Sequence, residues 1–273
     1  MNPPAKTERI LIWGKTYPEL SQRYFETVCT AGVTEVGQPV RLYPIPYRYL
    51  TETFEKYQWI TANISKNSND SRPESYRIDC DSIVCGEKIP ATADEWGKRA
   101  EVVFQHQDWQ FATVEALLHA QRTQGTSIGV VATREILEIQ VVPRDDDEAK
   151  SFEAKFQRIR KALDAKHNQL TLFEMEQSIP REMKQLQFIR ARFQITWLCG
   201  NPDCRSHKMQ VLDWEVCELQ RKHGDEQALQ KLREITDIAR YDVRFFLGNL
   251  FLHPRNFMIA GLWYPKRADL LFR

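Results

Sequence analysis

The chain has 273 residues, 42% hydrophobic and 27% charged, and its 38 basic residues nearly balance 37 acidic ones. This near-neutral charge excludes a nucleic-acid surface that covers the whole protein, so any such surface has to be a local patch. We find no run of about 20 apolar residues and no apolar signal core at the N-terminus, so we expect a cytoplasmic protein outside the membrane. The six cysteines are then expected to be thiols or metal ligands rather than disulfides.

The first half of the chain is predicted to be rich in β-strands. Strands are expected at 9–14, 40–43, 57–65, 76–84, 127–132 and 136–142, and helices at 18–29, 93–105 and 113–122. Pro44 and Pro46 end the second strand, because proline cannot donate to a strand ladder.

A charged break at 143–148 opens the second half. The apolar residues that follow it, Phe152, Phe156, Ile159 and Leu163, are spaced as one stripe of a helix. Residues 167–187 are polar and irregular and are predicted to be a connector. Alternation over 188–198 predicts a half-buried strand, followed by helices at 213–222 and 225–239 and strands at 243–247 and 257–263. We therefore predict an α+β protein with a β-rich domain at 1–143, a charged helix and linker at 144–187, and an α+β domain at 188–273.

Two thiols and an imidazole occur within nine residues, as Cys199-x4-Cys204-x2-His207. The turn Asn201-Pro202-Asp203 would fold the two sulfurs toward one ion, and this spacing is typical of a structural Zn²⁺ site. Cys217 is the expected fourth ligand, and His253 is an alternative. Three ligands with an open fourth position would instead favour hydrolytic chemistry, and a turn with buried thiols and no metal is the simpler interpretation.

Candidates for acid–base catalysis are few. Asp213, Glu215 and His253 are the acidic and imidazole groups near the Cys/His segment, but carboxylates two residues apart do not share a helix face. Asp213 fits a helix N-cap better. The sequence contains no P-loop, G-x-G-x-x-G, H-E-x-x-H or G-x-S-x-G motif.

Arginines and tyrosines alternate over residues 40–49. Guanidinium groups bind phosphates and phenol rings stack on unpaired bases, so this pattern predicts binding of single-stranded nucleic acid. The candidate residues are Arg41, Tyr43, Tyr47 and Arg48 in this segment and Arg190 and Arg192 on a later strand. Buried tyrosines beside solvated arginines would produce the same pattern without any ligand.

Residues 27–45 resemble the opening of bacterial proteins described as dual-OB domains. The matching positions are Cys29, Ala31 and Gly32, followed by the pair Val40-Arg41, and 125–131 is similar to a later Gly-rich strand of that module. The resemblance implies small OB-like β-barrels that bind nucleic acid, and it does not extend to 188–273.

The sequence thus favours a nucleic-acid-binding protein with an N-terminal OB-like barrel and a C-terminal zinc-knuckle part, with foreign or modified DNA as one conceivable target. One alternative is a metal-assisted or acid–base enzyme that acts on nucleic acid. The other is an interaction module that binds a protein partner through the helix around 152–163.

Overall fold

The computed structural model describes residues 4–21, 25–47, 54–67, 70–92, 95–167 and 186–270. The N-terminal part is built from strands, which are β1 (Lys6–Lys15), β2 (Glu19–Ser21), β3 (Phe25–Thr34), β4 (Pro39–Pro46), β5 (Gln58–Lys66), β6 (Ser75–Ile78) and β7 (Val84–Lys88). A short 3₁₀ turn, Cys80–Ser82, precedes β7.

Five of these strands close into a barrel. Strand β1 pairs with β3, β3 with β4, β4 with β6, β6 with β5, and β5 returns to β1. The β4–β6 pair is parallel and the other four pairs are antiparallel. A closed five-stranded barrel of this kind is the OB-fold architecture, so the OB-like barrel predicted from the sequence is confirmed.

The barrel interior is filled by alternate residues of its strands, including Ile10, Ile12, Val28 and Leu42, which are fully buried. The helix predicted at 18–29 is wrong, because the structure has β2 and the start of β3 there. The run from Thr27 to Thr30 carries three β-branched residues, which lose side-chain freedom in a helix and pack well in a sheet.

The second part is α+β, as predicted. Its strands are β8 (Gln110–Phe111), β9 (Ile128–Pro143), β10 (Ala191–Cys199), β11 (His207–Gln210), β12 (Arg244–Leu250) and β13 (His253–Trp263). The helices of the chain are α1 (Glu95–Val103), α2 (Val114–Gln124), α3 (Asp146–His167), α4 (Trp214–Ile235) and α5 (Arg267–Leu270). The sheet order is β11-β10-β9-β12-β13, with β8 parallel to β9.

The long strand β9 connects the two halves of this second sheet. Its first residues, 128–132, pair with β12, and residues 133–143 pair with β10. The sequence predicted two shorter strands here and grouped them with the N-terminal range 1–143, whereas the hydrogen bonds of β9 run to the second sheet. The polar triplet at 133–135 resembles a turn in sequence, but strand pairing on both sides keeps it extended.

The barrel and the second sheet share one aromatic core. The ring of Trp13 stacks on Phe246 at 4.4 Å between centroids and on Trp109 at 5.8 Å. All three side chains are at most 1% exposed. Burial of rings from β1 and β12 in one cluster fixes the two parts against each other.

The outer face of β3 and β4 is covered by the second sheet. Alternate residues of these strands line a small cavity of about 70 Å³ whose opposite wall comes from β12 and β13. Gly14 of β1 lies so close to β13 that a Cβ atom there would be 3.3 Å from the carbonyl oxygen of Ala260. OB folds use the corresponding strands to bind oligonucleotides, and in this protein that face is buried inside the molecule.

The apolar stripe of α3 is used within the chain. Phe156 and Ile159 are buried with Leu20 of β2 and Leu186, and the Phe152 ring contacts Phe188 at 5.4 Å. A protein partner bound through this stripe is therefore not supported; the side chain of Leu163 lies outside those described. Among the described residues, no helix is both long and apolar enough to cross a membrane.

Candidate functional site

Cys199, Cys204 and His207 come together at one end of the second sheet. Cys199 ends β10, and His207 opens β11 directly across from Trp197. The Nε2 atom of His207 lies 3.2 Å from Cys204 Sγ and 3.3 Å from Cys199 Sγ. The three ligand atoms lie within 4.8 Å of one another, so this cluster can hold a metal ion.

The turn that joins these ligands is held by its own hydrogen bonds. The Asn201 side chain accepts from the Asp203 N–H at 3.0 Å, and the Cys204 N–H donates to the Asn201 carbonyl at 3.1 Å. Arg134 of β9 donates to the Pro202 carbonyl at 3.2 Å. These contacts hold the turn that brings both sulfurs together, as the sequence pattern Asn-Pro-Asp predicted.

The donor set of this cluster suits zinc. Thiolate and imidazole are the ligands of structural zinc sites. Burial lowers the pKa of His207, which keeps the imidazole in the neutral form that binds metals. Burial raises the pKa of the Cys204 thiol, which has to lose its proton when an ion binds.

Neither expected fourth ligand belongs to this group. Cys217 lies near Asp213 and Glu218 on α4, where burial raises the pKa of its thiol to about 12. His253 is exposed at the start of β13. A further possible ligand close to the cluster is the carboxylate of Glu115 in α2, whose Oε1 lies 3.6 Å from His207 Nε2. Sequence reasoning missed it, because it precedes Cys199 by 84 residues and belongs to no local spacing pattern.

The structure places Arg41 and Tyr43 on the covered face of the barrel. Arg41 is 7% exposed, and its guanidinium donates to the Ser127 carbonyl at 2.8 Å and contacts Cys29 Sγ at 3.5 Å. The hydroxyl of Tyr43 lies 3.3 Å from Thr27 Oγ1 on the neighbouring strand. These contacts are internal: Arg41 joins the barrel to the residue before β9, and Tyr43 joins two strands of the barrel.

The other predicted nucleic-acid residues lie elsewhere. The half-buried ring of Tyr47 packs on Trp214 at 5.4 Å, and Arg48 lies outside the described residues. Arg190 pairs with Asp146 at 3.4 Å, and Arg192 pairs with Glu148, so both join the region of β10 to α3. Exposed pairs of this kind add little stability, and the proposed contact of Arg190 and Arg192 with nucleic acid stays a prediction.

A cleft of about 740 Å³ opens between the barrel and the second part of the chain. It is lined by aromatic rings and by charged side chains of both signs, which are Lys15, Glu55, Lys56, Tyr57, Lys88, Trp96, Arg99, Asp213, Trp214, Glu215, Lys231, Tyr241, Tyr264, Lys266 and Asp269. The catalytic candidates Asp213 and Glu215 lie in this wall, whereas His253 does not. Since the residues come from distant parts of the chain, no local sequence pattern marks the cleft.

Lys56 joins the two carboxylates of the cleft wall. Its Nζ lies 3.1 Å from Asp213 Oδ2 and 3.3 Å from Glu215 Oε2. Asp213 also caps α4, since its Oδ1 accepts from the N–H groups of Glu215 and Val216. Burial lowers the pKa of Lys56, but the two carboxylates outweigh burial and hold it well above its ordinary value. The two carboxylates therefore meet at one lysine although they share no helix face, because Asp213 precedes the helix.

Two further cations of the cleft bond only to neutral groups among the described residues. Lys15 donates to the Phe54 carbonyl and stands 4.4 Å from the Phe54 ring, and burial lowers its pKa to about 8. Arg99, 3% exposed, donates to the Ile89 carbonyl at 2.6 Å and 3.1 Å and stacks 3.9 Å from the Tyr57 ring. Carboxylates such as Glu215 face both cations, but none within the described part of the chain forms an ion pair with either, so both remain able to bind an anion.

Two families match successive parts of the chain. The family described as Domain of unknown function (DUF8758) matches residues 6–105, and the one described as Domain of unknown function (DUF8757) matches residues 110–273. The chain belongs to the DUF8757 family. The two matches meet between α1 and β8, so β9 falls in the second of them.

No curated protein matches the sequence. A solved structure titled "Structure and Conformational Change of a Replication Protein A Heterotrimer Bound to ssDNA" is similar over 91% of this chain, with 8% sequence identity and a TM-score of 0.35. The aligned region spans 44% of that longer chain. At this TM-score the similarity says nothing about a ligand, and the barrel assignment rests on the strand pairing. The resemblance to dual-OB-domain proteins stays a prediction.

Proposed function

We propose that this protein binds single-stranded nucleic acid in the cleft between its barrel and its second sheet. The observation that carries this proposal is the cleft lining, in which the cations Lys15 and Arg99 and rings such as Trp214 and Tyr264 border the same space. A nucleic acid strand offers phosphates to the cations and flat bases to the rings. The volume, about 740 Å³, is within the range of small-ligand pockets and suits a nucleotide unit.

A single strand fits this lining better than a duplex. Bases in a duplex are stacked and paired, so a ring in a cleft can stack only on a base that is unpaired. Trp214 and Tyr264 are partly exposed at the cleft, and Tyr47 packs on Trp214 and supports its ring. Of the residues predicted from sequence, Tyr47 enters this proposal as a positioning residue.

Within the same proposal, Cys199, Cys204 and His207 hold a Zn²⁺ ion that stabilises the second sheet. The donor types and the separations of 3.2 and 3.3 Å support this part. An ion at this position would tie the end of β10 to the start of β11. Its contribution is to folding, since it lies outside the residues that line the cleft.

An acid–base enzyme that acts on bound nucleic acid is the second candidate. It is favoured by the cluster of Lys56, Asp213 and Glu215 in the cleft wall, where a 3%-exposed carboxylate meets a lysine. Perturbed, buried groups of this kind often mark acid–base sites. Glu215→Gln tests it, because this side chain is 54% exposed and its loss should spare the fold. Cleavage or modification of an end-labelled strand by the wild type and not by this variant would favour the enzyme.

Anisotropy titrations with labelled single-stranded DNA, single-stranded RNA and duplex DNA test the binding proposal. We expect the single strands to bind more tightly than the duplex, and the affinity to fall between about 50 mM and about 200 mM salt because phosphate contacts release counterions. Lys266→Ala, at the cleft, should weaken binding and flatten the salt dependence. Lys98→Ala is the matched control on α1, outside the lining. Absence of binding to all three ligands at low salt would refute the proposal.

A further inference from the structure

We propose that the carboxylate of Glu115 is the fourth ligand of the metal ion held by Cys199, Cys204 and His207. This inference rests on the zinc site proposed above. It replaces Cys217, the fourth ligand expected from the sequence, with a residue from α2, and it makes the site a closed Cys₂-His-Glu shell.

The separations of the polar atoms support a tetrahedral shell. Zinc–sulfur bonds of about 2.3 Å and zinc–nitrogen or zinc–oxygen bonds of about 2.0–2.2 Å place neighbouring ligand atoms about 3.3–3.8 Å apart. His207 Nε2 lies 3.2 Å and 3.3 Å from the two sulfurs. Glu115 adds one contact from each oxygen: Oε1 lies 3.6 Å from His207 Nε2, and the Cys199 thiol lies 3.8 Å from Oε2. The two separations from His207 to the sulfurs thus lie close to tetrahedron edges, and the Glu115 carboxylate is in contact with two of the three other ligands.

The Glu115 carboxylate lies beside the cluster without completing the tetrahedron. Glu115 does not belong to the group whose ligand atoms all lie within 4.8 Å of one another, so one of its oxygens has to move closer to the other ligand atoms. The side chain is 52% exposed and is free to change rotamer. A zinc ion held by the three other ligands would attract the negatively charged Glu115 carboxylate. With four protein ligands the shell is closed, so no reactive water binds to the ion.

The backbone around Gly200 explains why α2 approaches the cluster. A Cβ atom at this position would lie 2.6 Å from the Ala112 carbonyl oxygen, so only glycine allows the cluster's turn to pack against the segment before α2. Thr113 then caps the helix by accepting from the Ala116 N–H at 3.0 Å. Glu115, in the first turn after this cap, is therefore directed to the cluster by the fold.

The alternatives are less well placed. Burial, together with the nearby Asp213 and Glu218 carboxylates, raises the pKa of the Cys217 thiol to about 12, and its Sγ is outside the group of ligand atoms. Two nearby carboxylates and burial both oppose the loss of its proton, which metal binding requires. His253 is exposed at the start of β13 and is outside the group as well.

Metal titrations of the full chain test this assignment. Zinc affinity is measured by competition with a chromogenic chelator, and Co²⁺ absorption reports the coordination of the ion. We expect the wild type to bind one ion per chain. Glu115→Gln should lose at least about tenfold in zinc affinity and should change the Co²⁺ spectrum. Cys217→Ala should behave like the wild type. Glu135→Gln is the matched control, an exposed carboxylate on β9 opposite Leu198. Glu115→His, which supplies another ligand, should keep the ion and shift the Co²⁺ bands.

The outcomes separate this inference from the zinc proposal. A wild-type chain that binds no zinc overturns the zinc site and this inference with it. A wild type that binds one zinc, together with unchanged affinity and spectra in both Glu115 variants, overturns the Glu115 assignment alone. Loss of metal in Cys217→Ala with none in Glu115→Gln would restore Cys217 as the fourth ligand.

Discussion

The guanidinium of Arg41 donates a hydrogen bond of 2.8 Å to the backbone carbonyl of Ser127. This bond joins β4 of the barrel to the residue before β9. The Glu74 carboxylate accepts from the Ser127 hydroxyl at 2.8 Å and from its N–H at 3.1 Å, so a buried cation and a buried anion meet at one residue. Arg41 therefore holds the barrel against the second sheet.

Arg41→Met should lower the free energy of unfolding by about 1.5–3 kcal/mol, because it removes a buried, charged hydrogen bond; the Ser127 carbonyl keeps the bond from the Asn249 N–H at 3.0 Å. Urea denaturation measures this change. Arg190→Met, with a side chain that is 76% exposed, is the control and should stay within about 0.5 kcal/mol of the wild type. An Arg41 variant of normal stability with impaired nucleic-acid binding would instead place Arg41 at the ligand.

Lys15 should make ligand binding depend on pH. Burial lowers its pKa to about 8, and the groups that face it are Glu55, Glu215 and the Cys85 thiol, whose own pKa is raised by burial. Lys15 is charged below about pH 8 and loses its charge as the pH rises through this value, so affinity for a single strand should fall between pH 7 and pH 9. Anisotropy titrations across this range measure the fall.

The matched control is Lys15→Arg, whose guanidinium stays charged over this range and should remove the fall. In the free protein, Lys15 has the opposite effect on folding stability, which increases with pH where the affinity for a single strand decreases. Between about pH 8 and the ordinary lysine pKa of 10.5, the unfolded chain binds the additional proton, so Lys15 makes the folded state more stable as the pH rises. A wild type whose affinity does not change between pH 7 and pH 9 would contradict a charged Lys15 at the ligand.

Cys204→Ala should remove the bound metal and lower thermal stability together, since a structural zinc contributes its binding energy to folding. Cys204→Ala should be less stable than the metal-loaded wild type. When both proteins are measured in excess chelator, this difference in stability should disappear. Cys85→Ala removes an exposed thiol and is the control. Equal melting temperatures for the loaded wild type and Cys204→Ala would show that the cluster has no structural role.

Trp214→Leu should weaken the binding of a single strand by about 1–3 kcal/mol if one base stacks on this ring. Leucine keeps apolar contact with Tyr47, so the helix start should remain packed. Phe251→Leu changes a 50%-exposed ring outside the cleft and is the matched control. Equal affinities for the two variants, measured by anisotropy at one salt concentration, would remove Trp214 from the binding surface.

Features that depend on neighbouring residues were predictable from the sequence. The alternation over 188–198 predicted β10, and the stripe with Phe156 and Ile159 predicted α3. The spacing of the Cys/His segment predicted a cluster able to hold a metal, because all three ligands lie on one turn between two paired strands. In each case, the spacing of apolar residues within one element or the residues of one short turn determine the local structure.

Features that depend on distant pairing were not predictable in this way. Arg41 has the same alternating pattern whether its face is open or covered, and only the packing of the second sheet buries it. The cleft and Glu115 are likewise products of tertiary structure, since their parts are separated by tens of residues. The helix predicted at 18–29 is replaced by β2 and the start of β3, because pairing of these strands with each other and with β4 selects the extended backbone.

Photochemical crosslinking tests the central claim, that a single strand occupies the cleft, most directly. A single-stranded oligonucleotide that carries 5-iodouracil is irradiated with the full chain, and mass spectrometry locates the modified residues. The account predicts crosslinks at the partly exposed rings of the cleft, Trp214 and Tyr264, that are lost in competition with unlabelled single strand. Crosslinks confined to the region of Arg190 and Arg192, with none at the cleft, would contradict it.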